Sequence, residues 1–296
     1  LEFRRVLFRS FDPINPPKDK QSILKVVVHS FFVVPLIIAG FALLVFLMVR
    51  ILTDEPRTAE DYLVDVKVGG NTKRWQGAFE LSKILSNPKL VPNDPRFEEE
   101  MISAFEYAKH DRDPRVRQYL ALAMGQPGKT AYLQPLINAL NDDEVIIASA
   151  TRAIGLIGSS DGVQPLIELL EHSLPQVKLQ AVIGLGIIGE RSAIPHLIRT
   201  LEDLEPNIRW DSAIALAKMQ NNAGKKILLD LLDRSYLDSF PNIDAGEQDQ
   251  AILITVKASR WILDPELKQS LIKLRDFDRN LHIRNAARKI LKEKES

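Results

Sequence analysis

Two hydrophobic patterns divide this chain of 296 residues. The first is an unbroken run. From Val26 to Val49 no residue is charged, and Lys25 and Arg50 close the run on either side. Its centre reads FFVVPLIIAGFALLVFLMV, from Phe31 to Val49. At about 1.5 Å per residue such a helix measures about 36 Å, enough to cross a hydrocarbon core about 30 Å thick with some tilt. A core helix rarely stays apolar on every face over this length. The segment that follows, RILTDEP, lacks the small-residue cleavage site of a signal peptide. Residues 26–50 are therefore predicted to form one transmembrane helix, in which Pro35 and Gly40 are tolerated. His29 falls near its start, where a polar ring reaches the headgroups.

The second pattern begins after Pro56. Apolar residues recur at three- and four-residue spacing, Pro stands at segment openings, and no run alternates with period two. This part is predicted to be helical throughout. It also repeats. QPLINAL (134–140), QPLIELL (164–170) and PHLIRTL (195–201) place Pro135, Pro165 and Pro195 at intervals of 30 residues. A second kind of segment recurs on the same beat, one ahead of the first copy and one behind each: VRQYLALAMG from Val116, IIASATRAIG from Ile146, VKLQAVIGLG from Val177 and IRWDSAIALA from Ile208. A pair of antiparallel helices this short cannot bury its own apolar face, so it must stack on the next pair and share a continuous core. Ala123, Ala153, Gly184 and Ala215 are small where neighbouring helices have to approach. Pro in an opening turn fixes φ where no backbone donor is needed. The ends are degenerate copies: TAEDYLVDVKV with TKRWQGAFELSKIL at the start, and DPELKQSLIKLRD with the highly charged LHIRNAARKILKEKES at the finish.

These units resemble HEAT repeats of the short bacterial kind, including those called phycobilisome-lyase-like. The pattern D-P-x-V-R stands in DPRVR (113–117) and, degraded, in LPQVK (174–178), EPNIR (205–209) and DRNLHIR (278–284). The resemblance covers roughly residues 56–292. It implies an all-α solenoid of about six to seven helical pairs, and it implies function hardly at all, because such repeats serve many proteins. In the family the acid and the base form a hydrogen-bonded ladder between neighbouring repeats. That implies a structural role for Asp113, Arg117, Lys178, Arg209 and Arg284. Second helices line the concave side of such solenoids, and the side chain two positions after each start is expected to point outwards. That row holds Trp75, Gln118, Ala148, Leu179 and Trp210; the next holds Gln76, Tyr119, Ser149, Gln180 and Asp211. Exposed Trp and Tyr are common interface anchors. Trp210, Tyr119, Arg152, Trp75 and Gln180 are the candidate protein-binding residues.

The beat fails once. From Ile208 to Ile283, matching positions, is 75 residues where two units would take about 62. The excess falls in DRSYLDSFPNIDAGEQD, residues 233–249, which shows no helical period and reads as a surface insertion. Asp238, Asp244 and Asp249 lie within it, without the ligand spacing of a helix-loop-helix calcium loop.

Composition narrows the chemistry. Lys plus Arg equals Asp plus Glu at 39 each, so no net field draws the chain to nucleic acid. There is no Cys, hence no disulfide, thiolate metal site or thiol nucleophile. The five histidines (29, 110, 172, 196, 282) form no His-Glu-x-x-His motif. Deoxyhypusine hydroxylases, which share HEAT-like repeats, hold iron through paired His-Glu motifs, and no His-Glu dipeptide occurs here. No cofactor, metal or catalytic constellation is expected.

Residues 1–10, LEFRRVLFRS, match an in-frame translation of a common sequencing adaptor and are set aside as non-native; residues 11–25 read as a polar tail. Lys18, Lys20 and Lys25 precede the apolar run, against Arg50 and Arg57 after it. This bias places the N-terminus in the cytoplasm and the repeats on the far, periplasmic side of a bacterial inner membrane. The expectation is a single-pass, membrane-anchored, non-catalytic scaffold for a partner protein, itself membrane-associated. The alternative is a lyase-like or chaperone-like factor acting on a cofactor-bearing client protein.

Overall fold

The computed structural model describes residues 28–53 and 57–293. The chain divides into two compact units, residues 1–56 and 57–296. In the first, a π-helical turn over His29–Val33 leads into α1 (Val34–Thr53). Phe31–Arg50 is a helix long and apolar enough to cross a membrane, and its side chains are exposed. The expectations for residues 1–10 and 11–25, including Lys18, Lys20 and Lys25, lie outside the described residues.

The second unit is helical throughout its described residues, in seven consecutive pairs. α2 (Ala59–Val68) pairs with α3 (Asn71–Ile84), and α4 (Pro95–Tyr107) with α5 (Pro114–Gly125). α6 (Leu133–Asn138) pairs with α7 (Glu144–Ile157), α8 (Val163–Glu168) with α9 (Pro175–Ile188), and α10 (Ile194–Arg199) with α11 (Pro206–Lys218). After α12 (Lys225–Leu231) comes the extra helix α13 (Arg234–Leu237), then α14 (Ala245–Ser259). α15 (Pro265–Phe277) and α16 (Leu281–Glu293) complete the array.

Local chemistry sets these boundaries. Thr58 and Asp61 form a capping box that starts α2, each side chain binding the other's backbone N–H. Pro114, Pro175, Pro206 and Pro265 occupy first turns, where their missing N–H costs no hydrogen bond. α7 and α9 end at Gly158 (φ 74°) and Gly189 (φ 75°), left-handed positions that suit glycine. The first helices of the middle pairs are short and flanked by 3₁₀ turns.

Packing follows the small residues. Consecutive second helices lie directly against each other, with Gly125 against Ala153, Gly155 against Gly184, and Gly186 against Ala215. Apolar side chains of both helices of each pair fill the space behind this layer, from Leu63 and Phe105 through Tyr132, Leu166 and Leu197 to Leu216. The core then divides within α11. Ile208, Ala215 and Leu216 belong to the first cluster, whereas Trp210, Ala213, Ile214 and Ala217 open a second cluster that runs to Leu291.

The division coincides with residues 233–249, expected to be an irregular excursion and found folded. Asp233 caps α13 through the Ser235 N–H, and Asp244 caps α14 in a second capping box with Glu247. Leu237 is fully buried. Arg234 reaches Asp278 at 2.8 Å and Asp249 at 2.7 Å, and Asn280 also binds Asp249. The insertion is thus bolted to α14 and to the entry of α16. Its three candidate calcium ligands are otherwise engaged: Asp238 accepts from Gln248, Asp244 caps its helix and Asp249 is ion-paired. Among the described residues no group of three or more His, Asp or Glu could hold a metal ion.

Candidate functional site

Two sets of residues stood out in the sequence: a charged ladder between repeats and an exposed row on the second helices. Both exist, with different members.

The base of each rung is the fourth residue of a second helix. Arg74 of α3 lies 2.8 Å from Asp111, a contact of charge more than a directed hydrogen bond. Arg117 of α5 lies 2.6 Å from Asp142, and Lys178 of α9 lies 2.6 Å from Asp203. Each acid sits in the turn ahead of the next pair's second helix, or of the one it leads into, so every rung ties one pair to its successor. Arg117 is almost fully buried. It also donates to the Phe105 carbonyl and stacks on that ring, 4.0 Å from its centre. Burial works to raise the Asp203 carboxyl, but hydrogen bonds from Lys178 and the Glu205 backbone outweigh it and hold the group below the ordinary range.

Several expected members are placed elsewhere. Asp113 is not a rung: it caps α5 by accepting from the Arg115 N–H and pairs with the Arg115 guanidinium at 2.7 Å. As the residue preceding Pro114 its oxygen is already committed to its own helix start. Arg209 donates to the Asp203 and Leu204 carbonyls at 2.8 and 3.0 Å, in the turn ahead of its own helix, and not to a carboxylate of the next pair. Arg284, on α16, has no carboxylate within ion-pair distance among the described residues. At the same position α7 carries Ile147, so the ladder skips one rung.

On the second-helix face, Trp75 is half-buried beneath Arg115, whose guanidinium lies 4.3 Å from its ring centre. Tyr119 meets Phe79 edge to face at 5.2 Å. A cleft of about 530 Å³ on the first pair includes Trp75, Phe79, Lys73 and Tyr62 in its lining. Further along, α7 and α9 offer Val145, Ala148, Leu156, Leu179, Ile183 and Ile187 to solvent, wholly or in part. Arg152 is exposed among them, and it has no ion-pair or hydrogen-bond partner among the described residues.

Two candidates are buried instead of exposed. Trp210 retains 7% of its surface. Its indole N–H donates to the Tyr236 hydroxyl at 3.2 Å, and Phe240 meets it edge to face at 5.0 Å. The insertion folds back over the position that the row would have exposed. Gln180 is 9% exposed because the close approach of second helices leaves its position little solvent. Its Oε1 is buried with no hydrogen-bond partner. The matching residue on α11, Asp211, is half-buried, and burial pushes its carboxyl up to about 6, with the nearby Lys218 charge acting in the opposite sense. The structure therefore groups Trp75 with Tyr119 at the first pairs and leaves Arg152 and Gln180 on the middle pairs. Trp210 belongs to the core.

Stacked helical pairs, a shared core and a close-packed layer of second helices define an all-α repeat solenoid. Residues 102–175 and 163–238 match the family of HEAT repeats, so the chain carries HEAT repeats over its middle pairs. No protein of curated function matches the sequence. Among solved structures, the complex of CpcE and CpcF of phycocyanin lyase from Nostoc sp. PCC7120 is similar in fold. It shares 17% identity over 81% of this chain and 96% of that one, with a TM-score of 0.54. A designed armadillo repeat protein in complex with the peptide (KR)4 shares 16% identity over 80% of this chain and 99% of that one, with a TM-score of 0.40.

Proposed function

We propose that this chain is a membrane-anchored, non-catalytic HEAT-repeat scaffold that docks a partner protein, part of a membrane-associated complex, on its second-helix face. One observation carries the reading. Between Val145 and Ile187 the exposed face of α7 and α9 is apolar, with Arg152 and no other full charge outside the ladder. A contiguous apolar surface rimmed by polar groups marks an interaction site on a protein of this kind. The apolar helix Phe31–Arg50 supports anchoring, and the basic residues ahead of it support a cytoplasmic N-terminus with the repeats on the periplasmic side.

The test is recovery of a defined complex from membranes in mild detergent. Ile187→Asp combined with Ile183→Asp should abolish the complex while leaving the helical signal and melting midpoint within a few degrees of the native values, because Ile187 is exposed and neither side chain belongs to the core. A complex that survives both changes refutes docking on this face. Protease added to spheroplasts should digest the repeats if they are periplasmic. The competing reading, a factor acting on a cofactor-bearing client, requires transfer or release of a chromophore by the isolated chain. The likeness to the lyase complex is one of fold.

A further inference from the structure

We infer that the segment received by this face carries a carboxylate set among apolar side chains, paired with Arg152, and a hydrogen-bond donor that satisfies Gln180. This rests on the docking reading above and names the chemistry of its partner.

Three observations lead there. Arg152 projects from the middle of α7 into an otherwise apolar surface and is exposed and unpaired, while the nearby bases of the ladder and capping turns are engaged: Arg117 with Asp142, Lys178 with Asp203, Arg115 with Asp113. A docked apolar segment would strip water from Arg152, and an uncompensated cation in such a place is costly, so the arriving segment must bring a negative charge. Arg suits this role because its planar fork binds a carboxylate at two points. Second, Gln180 is nine-tenths buried on the neighbouring helix α9, yet its Oε1 has no donor. Buried amide oxygens without partners are rare in finished structures, and one at a docking face awaits an N–H or O–H from the ligand. Third, Leu179, Ile183 and the exposed Ile187 offer apolar contact beside both groups. A cationic segment is disfavoured by Arg152 itself. A segment without charge leaves it unpaired.

The experiment selects from a random dodecapeptide library displayed on phage, against the full chain held in nanodiscs. Peptides retained by the native chain should be enriched in Asp and Glu next to Leu, Ile or Phe. For one retained peptide, changing its acid to the amide should weaken binding about tenfold, the scale of one well-formed charge pair. Arg152→Glu, a surface change that leaves the melting midpoint in place, should reverse the selection towards Lys and Arg. Gln180→Met, of similar volume but with no acceptor, should lower affinity for the same peptide without altering its charge preference. Enrichment blind to charge, or an acid preference that survives Arg152→Glu, overturns the inference and leaves the docking face standing. Retention of no peptide by any form of the chain overturns the face as well. Self-association that Arg152→Glu abolishes would seat a second copy there and overturn the inference too.

Discussion

Gly155 and Gly184 meet across α7 and α9 so closely that a Cβ on Gly155 would lie 2.4 Å from the Cα of Gly184. Backbone stands on both sides of this contact, so no side chain can yield. Gly155→Ala is expected to push the two helices apart and to destabilise the repeat unit by about 1–3 kcal/mol, the usual cost of overpacking. For a unit of this size that is a fall in melting midpoint of roughly 2–4 °C per kcal/mol. Gly189→Ala is a useful contrast, because nothing lies within 4 Å of its Cβ and only its φ of 75° resists the change. Thermal melts of both variants should separate crowding from backbone strain.

Arg117 and Lys178 hold equivalent rungs in different surroundings. The Arg117 side chain is 6% exposed and that of Lys178 is 19% exposed. Removing Arg117 leaves Asp142 buried with only Lys109, 3.4 Å away and itself largely exposed. Arg117→Ala should therefore cost about 3–5 kcal/mol, the penalty for stranding one partner of a buried pair. Lys178→Ala should cost less than Arg117→Ala, because water reaches Asp203 more easily. Arg117→Lys should recover only part of the loss, since Lys neither forks nor stacks on Phe105. Urea unfolding of the three variants tests the order, and equal losses for Arg117→Ala and Lys178→Ala would refute it.

Trp210 has exchanged an expected role in binding for one in the core. Its ring is enclosed by Tyr236 and Phe240, so Trp210→Ala should destabilise by about 3–5 kcal/mol, as truncation of a buried aromatic does. Tyr236→Phe keeps the ring and loses only the acceptor for the indole N–H, a change of about 1 kcal/mol. Limited proteolysis within residues 233–249 should become faster in the first variant and change little in the second.

The repeat period was legible because each pair solves the same packing problem, and Pro, Gly and small residues mark its boundaries locally. Seven pairs in the structure match the six to seven expected. The ladder was half legible. Arg117 and Lys178 sit inside the motif, but their acids, Asp142 and Asp203, each lie 25 residues downstream in a turn outside it. The offset these two rungs share is the signal a reading of the motif alone passes over; the Arg74–Asp111 rung spans a longer stretch and does not keep it. Asp113, the motif's own acid, is drawn to its helix start. Trp210 was misplaced because outward direction was read from one helix, whereas burial depended on residues 26 and 30 positions later. α13 is four residues long, too short for a helical period to register. Gln180 could be placed on the face from its position, but the lack of a partner for its Oε1 is a property of packing alone.

Asp211 gives the unit an unusual response to acid. Its carboxyl ionises near pH 6 in the folded chain against 3.8 ordinarily, because burial disfavours the charged form. The folded state then holds this proton more tightly than the unfolded state. At pH 7 and above, the ionised carboxylate opposes folding. The penalty, up to about 3 kcal/mol, is relieved as pH falls through 6 and is gone below about 4. Asp203 runs the other way: its lowered value contributes stability above the ordinary carboxylate range, lost as pH falls through the depressed value. Between pH 7.5 and 4.5 the Asp211 effect should dominate that pair. Asp211→Asn should thus be more stable than the native chain at pH 7.5, and its advantage should shrink to roughly a third of that at pH 4.5. Urea unfolding of both proteins at the two pH values checks this. An advantage that stays constant with pH would mean that the Asp211 carboxylate is well solvated in the folded chain.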